Sequence, residues 1–147
     1  MKPYLLIFCL WISQGSLAQA IQEDPEAAFS QASREGKNLL LLFSGSDWCI
    51  PCIQFEKKVL LDSSFQKFAS RSLVILVADF PQKRKISKSL QAAYESLADQ
   101  YDPSGIFPRI IILTPDKKFL GSISYQHQSA DEFLKELNVL ITPGEHG

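Results

Sequence analysis

One segment restricts the fold of this chain more than any other: an apolar run that leads into a pair of cysteines. Residues 39–43 read Leu-Leu-Leu-Leu-Phe, and Cys49 and Cys52 follow after a short polar stretch. An uninterrupted apolar run of this length is typical of a strand that is buried on both faces. Because such a strand, Asn38–Phe43, needs helices above and below its sheet, the sequence predicts an α/β protein.

The other predicted elements alternate in the same manner. An Asp-Pro start and a closing Gly36 delimit a first helix, and a capped helical piece begins after Asp62. The order predicts a mixed central sheet with helices on both faces and a final antiparallel hairpin. The predicted strands are Asn38–Phe43, Leu73–Ala78, Ile110–Leu113 and Phe119–Ser124, and the longer helices lie over residues 25–35, 49–60, 89–101 and 130–140.

Residues 1–20 have the pattern of a secretory signal: a basic residue, the apolar stretch Tyr4–Ile12, and an Ala-x-Ala site that ends at Ala20. Nine residues extend about 14 Å as a helix, half of a roughly 30 Å hydrocarbon core, which argues against a membrane anchor. We therefore expect cleavage near Ala20 and a single exported domain over residues 21–147.

Composition excludes several classes of protein. The formal net charge is −1, and the chain lacks the basic footprint of a nucleic-acid-binding protein. No stretch reaches the roughly 18 apolar residues of a transmembrane helix, so we expect no stable membrane insertion. Removal of the signal also removes Cys9, which leaves Cys49 and Cys52 as an isolated pair. Outside the cytosol such a pair can form a persistent disulfide.

The sequence Cys49-Ile50-Pro51-Cys52 lies where the buried strand gives way to a helix. Free N–H groups at a helix start favour the thiolate form of Cys49, and the thiolate is the nucleophile. Cys52 is nearly one turn further on and more buried, which makes it the resolving cysteine. Pro51 costs no helical hydrogen bond in the first turn and stiffens the segment. This chemistry needs no cofactor beyond the Cys49–Cys52 disulfide.

Three other interpretations of the cysteine pair fit less well. A structural disulfide that closes a four-residue loop would stabilise the folded state by only about 1.9 kcal/mol, whereas one that closes a fifteen-residue loop contributes about 3 kcal/mol. A zinc site needs about four ligands, and the chain adds only the widely separated His127 and His146. Haem attachment requires His directly after the second cysteine, where this chain has Ile53.

The residues that carry this chemistry resemble the thioredoxin family. The resemblance rests on Trp48-Cys-x-Pro-Cys52 after an apolar strand, and on Gly105-Ile106-Phe107-Pro108 before the strand Ile110–Leu113. It implies a thioredoxin fold in which Pro108 is a cis-proline that faces the cysteines. It also implies that Trp48, Pro51, Phe107 and Pro108 contact the substrate.

A closer resemblance involves Phe55-Glu56-Lys57 after the cysteines and Phe65-Gln66-Lys67 after a Ser- and Asp-rich turn. This pattern is similar to the periplasmic C-terminal domain family of DsbD and to exported DsbH-type proteins. The resemblance implies disulfide reduction in the periplasm, protein substrates that contain disulfides, and a membrane electron donor of the DsbD type. We further expect a monomer.

The chain departs from the thioredoxin pattern at two positions. Thioredoxins carry a buried Asp on the strand before the cysteines, which helps to move the proton of the second cysteine, and residues 40–43 contain no acid. Glu56, four residues after Cys52, is the first replacement candidate as proton acceptor, and Asp47 is the second. Phe107 is bulky for the residue before the cis-proline, and it narrows substrate choice, extends an apolar contact surface or packs in the core.

These observations predict an exported thiol:disulfide oxidoreductase that reduces protein disulfides. An oxidant or isomerase is the first alternative, but Ile50 and Pro51 place no charge between the cysteines to stabilise a thiolate. A dedicated thiol-binding module, for example for apocytochrome c, is the second alternative. The basic cluster Lys83–Lys88 has two interpretations: a solvated surface loop, which is the ordinary case, or a docking site for an acidic partner.

Overall fold

The computed structural model describes residues 21–142. The secretory signal and its cleavage site near Ala20 lie outside the described residues, and they stay predictions. Within the described range, alternating strands and helices build a five-stranded sheet with helices packed on both faces. This confirms the predicted α/β class and the mixed sheet.

The sheet has the order β1-β3-β2-β4-β5 and contains both parallel and antiparallel pairs. β3 pairs in parallel with β1 and β2, whereas β4 is antiparallel to β2 and to β5. The central position of β2 explains its uninterrupted apolar sequence. The strands are β1 (Ile21–Gln22), β2 (Asn38–Ser44), β3 (Leu73–Asp79), β4 (Arg109–Leu113) and β5 (Phe119–Ile123). β1 was not predicted, because two residues show no periodicity.

Capping residues set the starts of the helices. Asp24 accepts a hydrogen bond from the Glu26 N–H at 3.0 Å, and Gly36 ends that helix in the left-handed conformation at φ 62°. Ser129 and Glu132 form a reciprocal capping box at the last helix. The helices are α1 (Pro25–Glu35), α2 (Ile50–Phe55), α3 (Ser63–Ser72), α4 (Lys88–Tyr101) and α5 (Ala130–Ile141).

Alternate residues of the strands face two separate apolar clusters. Leu40 and Leu42 of β2 face α2, α3 and α5, and Phe55 and Phe133 lie in this first cluster. Leu39, Leu41 and Phe43 face α1 and α4 in the second cluster. Since side chains alternate along a strand, both faces of β2 are covered and its apolar residues are fully buried.

The helix that follows the cysteines differs from the prediction in its second half. An α-helix was expected to about Leu60, but α2 ends at Phe55 and the segment Glu56–Leu60 is π-helical. The Leu61 N–H donates to the Glu56 carbonyl at 2.9 Å, which is the wider i→i+5 pattern. The spacing of the apolar residues does not distinguish an α-helix from a π-helix here, because Val59 and Leu60 are both buried.

Candidate active site

Cys49 and Cys52 form a disulfide at the start of α2, with their Cα atoms 5.3 Å apart. Cys49 is the N-cap residue, and its Sγ accepts a hydrogen bond from the Cys52 N–H at 3.3 Å. Both residues are buried, and Cys49, at 5% exposure, is less so than Cys52, at 1%. A backbone donor aimed at the Cys49 sulfur stabilises a thiolate there once the disulfide is reduced.

A tight turn at Gly45 joins β2 to α2. The Cys49 N–H donates to the Gly45 carbonyl at 2.8 Å, and the Trp48 N–H donates to the same oxygen at 3.2 Å. The Trp48 indole lies directly on the Gly45 Cα, in the space that a Cβ atom would occupy. Gly45 is therefore needed for the close approach of the indole.

We expect Gly45→Ala to displace the Trp48 indole and to destabilise the oxidised protein by about 1–3 kcal/mol. The added methyl group overlaps several atoms of the ring, so the ring must move. Tryptophan fluorescence of the folded protein reports the displacement of the ring, and urea unfolding followed by circular dichroism gives the stability, because Trp48 is the single Trp of residues 21–147. In a Trp48→Ala background the same substitution should cost less than half as much. An equal cost in both backgrounds would contradict the proposed contact.

Trp48 belongs to an exposed aromatic surface beside the disulfide. Its side chain is 38% exposed, and its Nε1 donates to the Phe80 carbonyl at 2.7 Å. The Trp48 and Phe107 ring centroids are 5.7 Å apart, and Phe80 stacks on Phe107 at 5.5 Å. Phe107 thus packs against the second cluster and also continues the aromatic surface next to the cysteines.

The peptide bond between Phe107 and Pro108 is cis. Pro51 and Pro108 line one cavity of about 200 Å³, so the fold brings the loop before β4 beside the cysteine segment. Arg109, Tyr125 and His127 lie on the wall of the same cavity; sequence reasoning gave none of these three a role in the site. The four substrate-contact candidates, Trp48, Pro51, Phe107 and Pro108, therefore surround the start of α2.

Asp47 has a structural contact with the loop that follows β3. Its carboxylate accepts hydrogen bonds from the Gln82 N–H at 2.9 Å and from the Lys83 N–H at 2.7 Å. The hydrogen bond from Gln82 and the other backbone donors hold the pKa of Asp47 below its ordinary value. A depressed folded-state pKa means that this contact contributes at neutral pH and is lost as the pH falls through that value. The hydrogen bonds stabilise the charged form of the Asp47 carboxylate, and its role as a proton acceptor stays a prediction.

Glu56 lies at the end of α2, where its backbone N–H donates to the Cys52 carbonyl. Glu56 lines a cavity of about 220 Å³ together with Ser44, Ser46 and Asp79. Asp79 is the buried acid of this region, at 5% exposure, and accepts hydrogen bonds from the Ser46 N–H at 2.8 Å and the Ser46 hydroxyl at 2.6 Å. Sequence analysis missed Asp79, although an Asp directly after an apolar strand was a usable signal.

Comparison with known proteins identifies the family. Residues 20–115 match a family model described as thioredoxin-like. The chain belongs to the thioredoxin-like family. A curated relative, the disulfide bond reductase DsbH of Chlamydia pneumoniae, is 30% identical over 99 residues, which cover 67% of this chain and 59% of that protein. The match thus spans about three-fifths of the length of this relative.

Solved structures confirm the thioredoxin fold. A DsbH oxidoreductase matches with a TM-score of 0.77 and 25% identity, over 87% of this chain and 90% of the other. The oxidised C-terminal domain of DsbD from Neisseria meningitidis matches with a TM-score of 0.56 over 82% of this chain and 98% of that domain. At 17% identity the DsbD match shows the fold alone.

Two further findings concern metals and membranes. Between residues 21 and 142, no group of three or more His, Cys, Asp or Glu side chains has the arrangement of a metal site. In the same range no helix is long and apolar enough to cross a membrane.

Thioredoxin-like oxidoreductases use their own pair of cysteines as the redox group, and this protein has such a pair in Cys49 and Cys52.

Proposed function

We propose that this thioredoxin-like protein is an exported reductase of protein disulfides, with Cys49 as nucleophile and Cys52 as resolving cysteine. The observation that carries the proposal is the paired geometry at the start of α2. There the Cys49 sulfur accepts a backbone hydrogen bond from Cys52, and Cys49 is the less buried of the two residues. The 30% identity to a disulfide bond reductase supports the reducing direction.

In the first step the Cys49 thiolate attacks one sulfur of the substrate disulfide. The substrate S–S bond breaks as the Cys49–substrate bond forms, and the departing substrate sulfur takes up a proton as a thiol. Trp48 and the cis-Pro108 segment border the approach to Cys49, and we assign them, with Pro51 and Phe107, to substrate contact. The substrate segment would lie in the cavity between Pro51 and Pro108.

In the second step Cys52 loses its proton and attacks the Cys49 sulfur. The mixed disulfide breaks, the second substrate sulfur leaves and is protonated, and the Cys49–Cys52 disulfide forms. Two electrons have then passed to the substrate. We assign Glu56 as the acceptor of the Cys52 proton. Glu56 follows Cys52 by four residues on a continuous helical segment, and it borders a cavity large enough for water.

Each turnover leaves the protein oxidised, so a donor must restore the two thiols. We propose a membrane electron donor of the DsbD type, and a site of action in the periplasm after cleavage near Ala20. We propose that the protein acts as a monomer and that its substrates are proteins that contain disulfides. The two alternative functions are an oxidant of exported proteins and a module dedicated to apocytochrome c. Each would use the same two cysteines but act on other substrates.

Glu56→Gln should slow the second step roughly 10- to 100-fold near neutral pH and change the pH dependence of substrate release. The first step should keep its rate, so the mixed disulfide should accumulate transiently. Quenched-flow trapping with mass spectrometry separates the two steps. Glu23→Gln is the matched control, because Glu23 lines the same cavity but does not belong to the helical segment that carries Cys52. An unchanged pH profile in Glu56→Gln would remove Glu56 from the mechanism.

The proposed function is tested with reduced mature protein and insulin under single-turnover conditions. We expect two insulin thiols for each protein molecule and recovery of the Cys49–Cys52 disulfide. Failure to reduce insulin, together with reduction of an apocytochrome c disulfide, would favour the dedicated module. Net formation of disulfides in reduced substrates by the oxidised protein would favour the oxidant.

A further inference from the structure

The loop after β3 and the start of α4 carry an unusual concentration of positive charge. Residues 82–91 hold four of the chain's 15 Lys and Arg residues and no Asp or Glu. The remaining 11 basic residues are outnumbered by the 16 acidic residues of the chain. This segment is therefore a basic patch on an otherwise acidic protein.

The basic patch surrounds a concave surface rather than a flat one. A cavity of about 450 Å³ lies there, and Arg84, Lys85 and Lys88 are on its wall with Phe80 and Gln91. Arg84 forms an ion pair with the buried Asp79 at 2.5 Å. Within residues 21–142, neither Lys85 nor Lys88 has an ion-pair partner, and both are exposed.

Three consecutive residues before Cys49 attach this loop to the active site. Ser46 donates to Asp79, Asp47 accepts from Gln82 and Lys83, and the Trp48 indole donates to the Phe80 carbonyl. Phe80 also stacks on Phe107, so the wall of the basic cavity continues into the aromatic surface beside the disulfide. The wall of the basic cavity is thus joined by direct contacts to the residues just before Cys49.

We propose that the basic cavity binds an acidic segment of the substrate protein whose disulfide is reduced at Cys49. The proposal rests on the proposed function and adds a substrate class to it. Charge complementarity identifies the occupant, because the cavity presents two unpaired ammonium groups and a guanidinium, and no carboxylate on its wall. The cations lie on exposed side chains spread along the cavity, which suits a chain with several carboxylates better than one small anion.

The test uses three peptides that share the same internal disulfide. The disulfide is flanked by several Glu residues in the first peptide, by several Lys residues in the second and by several Ser residues in the third. The reduced mature protein should release thiols from the Glu-flanked peptide roughly tenfold faster than from the Ser-flanked peptide at low salt, and this preference should fall steeply with ionic strength. Lys85→Glu/Lys88→Glu should abolish the preference and leave the Ser-flanked peptide unaffected. Lys67→Glu/Lys135→Glu is the matched control, with the same charge change on α3 and α5, across the sheet from the basic cavity.

Two results would overturn the inference. One is an equal loss of preference in both double variants, which indicates attraction by net charge alone. The other is a Glu-flanked peptide reduced no faster than the others. A Glu-rich peptide without cysteines, followed by fluorescence anisotropy, tests binding separately from redox chemistry and should lose affinity only in Lys85→Glu/Lys88→Glu. Failure of the unaltered protein to reduce the Ser-flanked peptide would count against the proposed function instead.

Discussion

Replacement of Cys49 by Ser is expected to lower the rate of protein disulfide reduction by at least about 10³-fold. The reaction begins with the Cys49 thiolate, and a serine hydroxyl at this position stays protonated and does not attack a disulfide. Cys52 does not replace it, because its side chain is almost completely buried. The measurement is single-turnover release of insulin thiols by the reduced protein.

The same assay on Cys52→Ser separates the roles of the two cysteines. This variant should attack insulin at a near-normal rate and then stop as a stable mixed disulfide through Cys49, visible by mass spectrometry. Ile50→Ser is the matched control, because Ile50 lies between the cysteines at 63% exposure and carries no thiol. A mixed disulfide trapped by Cys49→Ser rather than by Cys52→Ser would reverse the assignment.

The second large effect concerns stability. We expect Phe133→Ala to lower the free energy of unfolding by about 3–5 kcal/mol, as measured by urea denaturation of the oxidised protein. Phe133 is fully buried and makes edge-on ring contacts with Phe55 at 5.1 Å and Phe65 at 6.0 Å. It therefore joins α5 to both α2 and α3, and its loss leaves a cavity beneath the helix that carries Cys52.

Val139→Ala is the control for this substitution. Val139 lies on the same helix, α5, but is 78% exposed, so its truncation should change the free energy of unfolding by less than about 0.5 kcal/mol. Helix propensity lowers the stability of neither variant, because Ala is a better helix former than Val or Phe. A loss in Phe133→Ala no larger than that in Val139→Ala would contradict the stabilising role of the buried ring cluster.

The parts of the fold that the sequence predicted are those with strong local patterns. The central strand β2 was recognisable because both of its faces are buried, and the start of α1 was recognisable from Asp24 and Pro25. The position of Cys49 at a helix start followed from the same reasoning. Pro108 was placed opposite the cysteines by family resemblance, and a proline before a strand does not by itself indicate a cis bond.

The features that were missed depend on contacts between distant parts of the chain. Asp79 contacts Ser46 across 33 residues, and nothing in either neighbourhood indicates that they pair. Asp47, the second candidate as proton acceptor, also holds the loop at Gln82 and Lys83, and the sequence did not predict that contact. The role of Gly45 depends on where the Trp48 ring packs. Such partners become visible only when β2 and β3 are paired in space.

The central claim, that the cysteine pair reduces disulfides, is tested most directly by its reduction potential. The mature protein is equilibrated with thioredoxin or glutathione, and the fraction of Cys49–Cys52 disulfide is measured after acid quenching and alkylation. We predict a value near about −270 mV, comparable to thioredoxin, because Ile50 and Pro51 add no charge that would stabilise the thiolate. A value near about −120 mV, typical of a strong periplasmic oxidant, would contradict the account and assign the protein to disulfide formation.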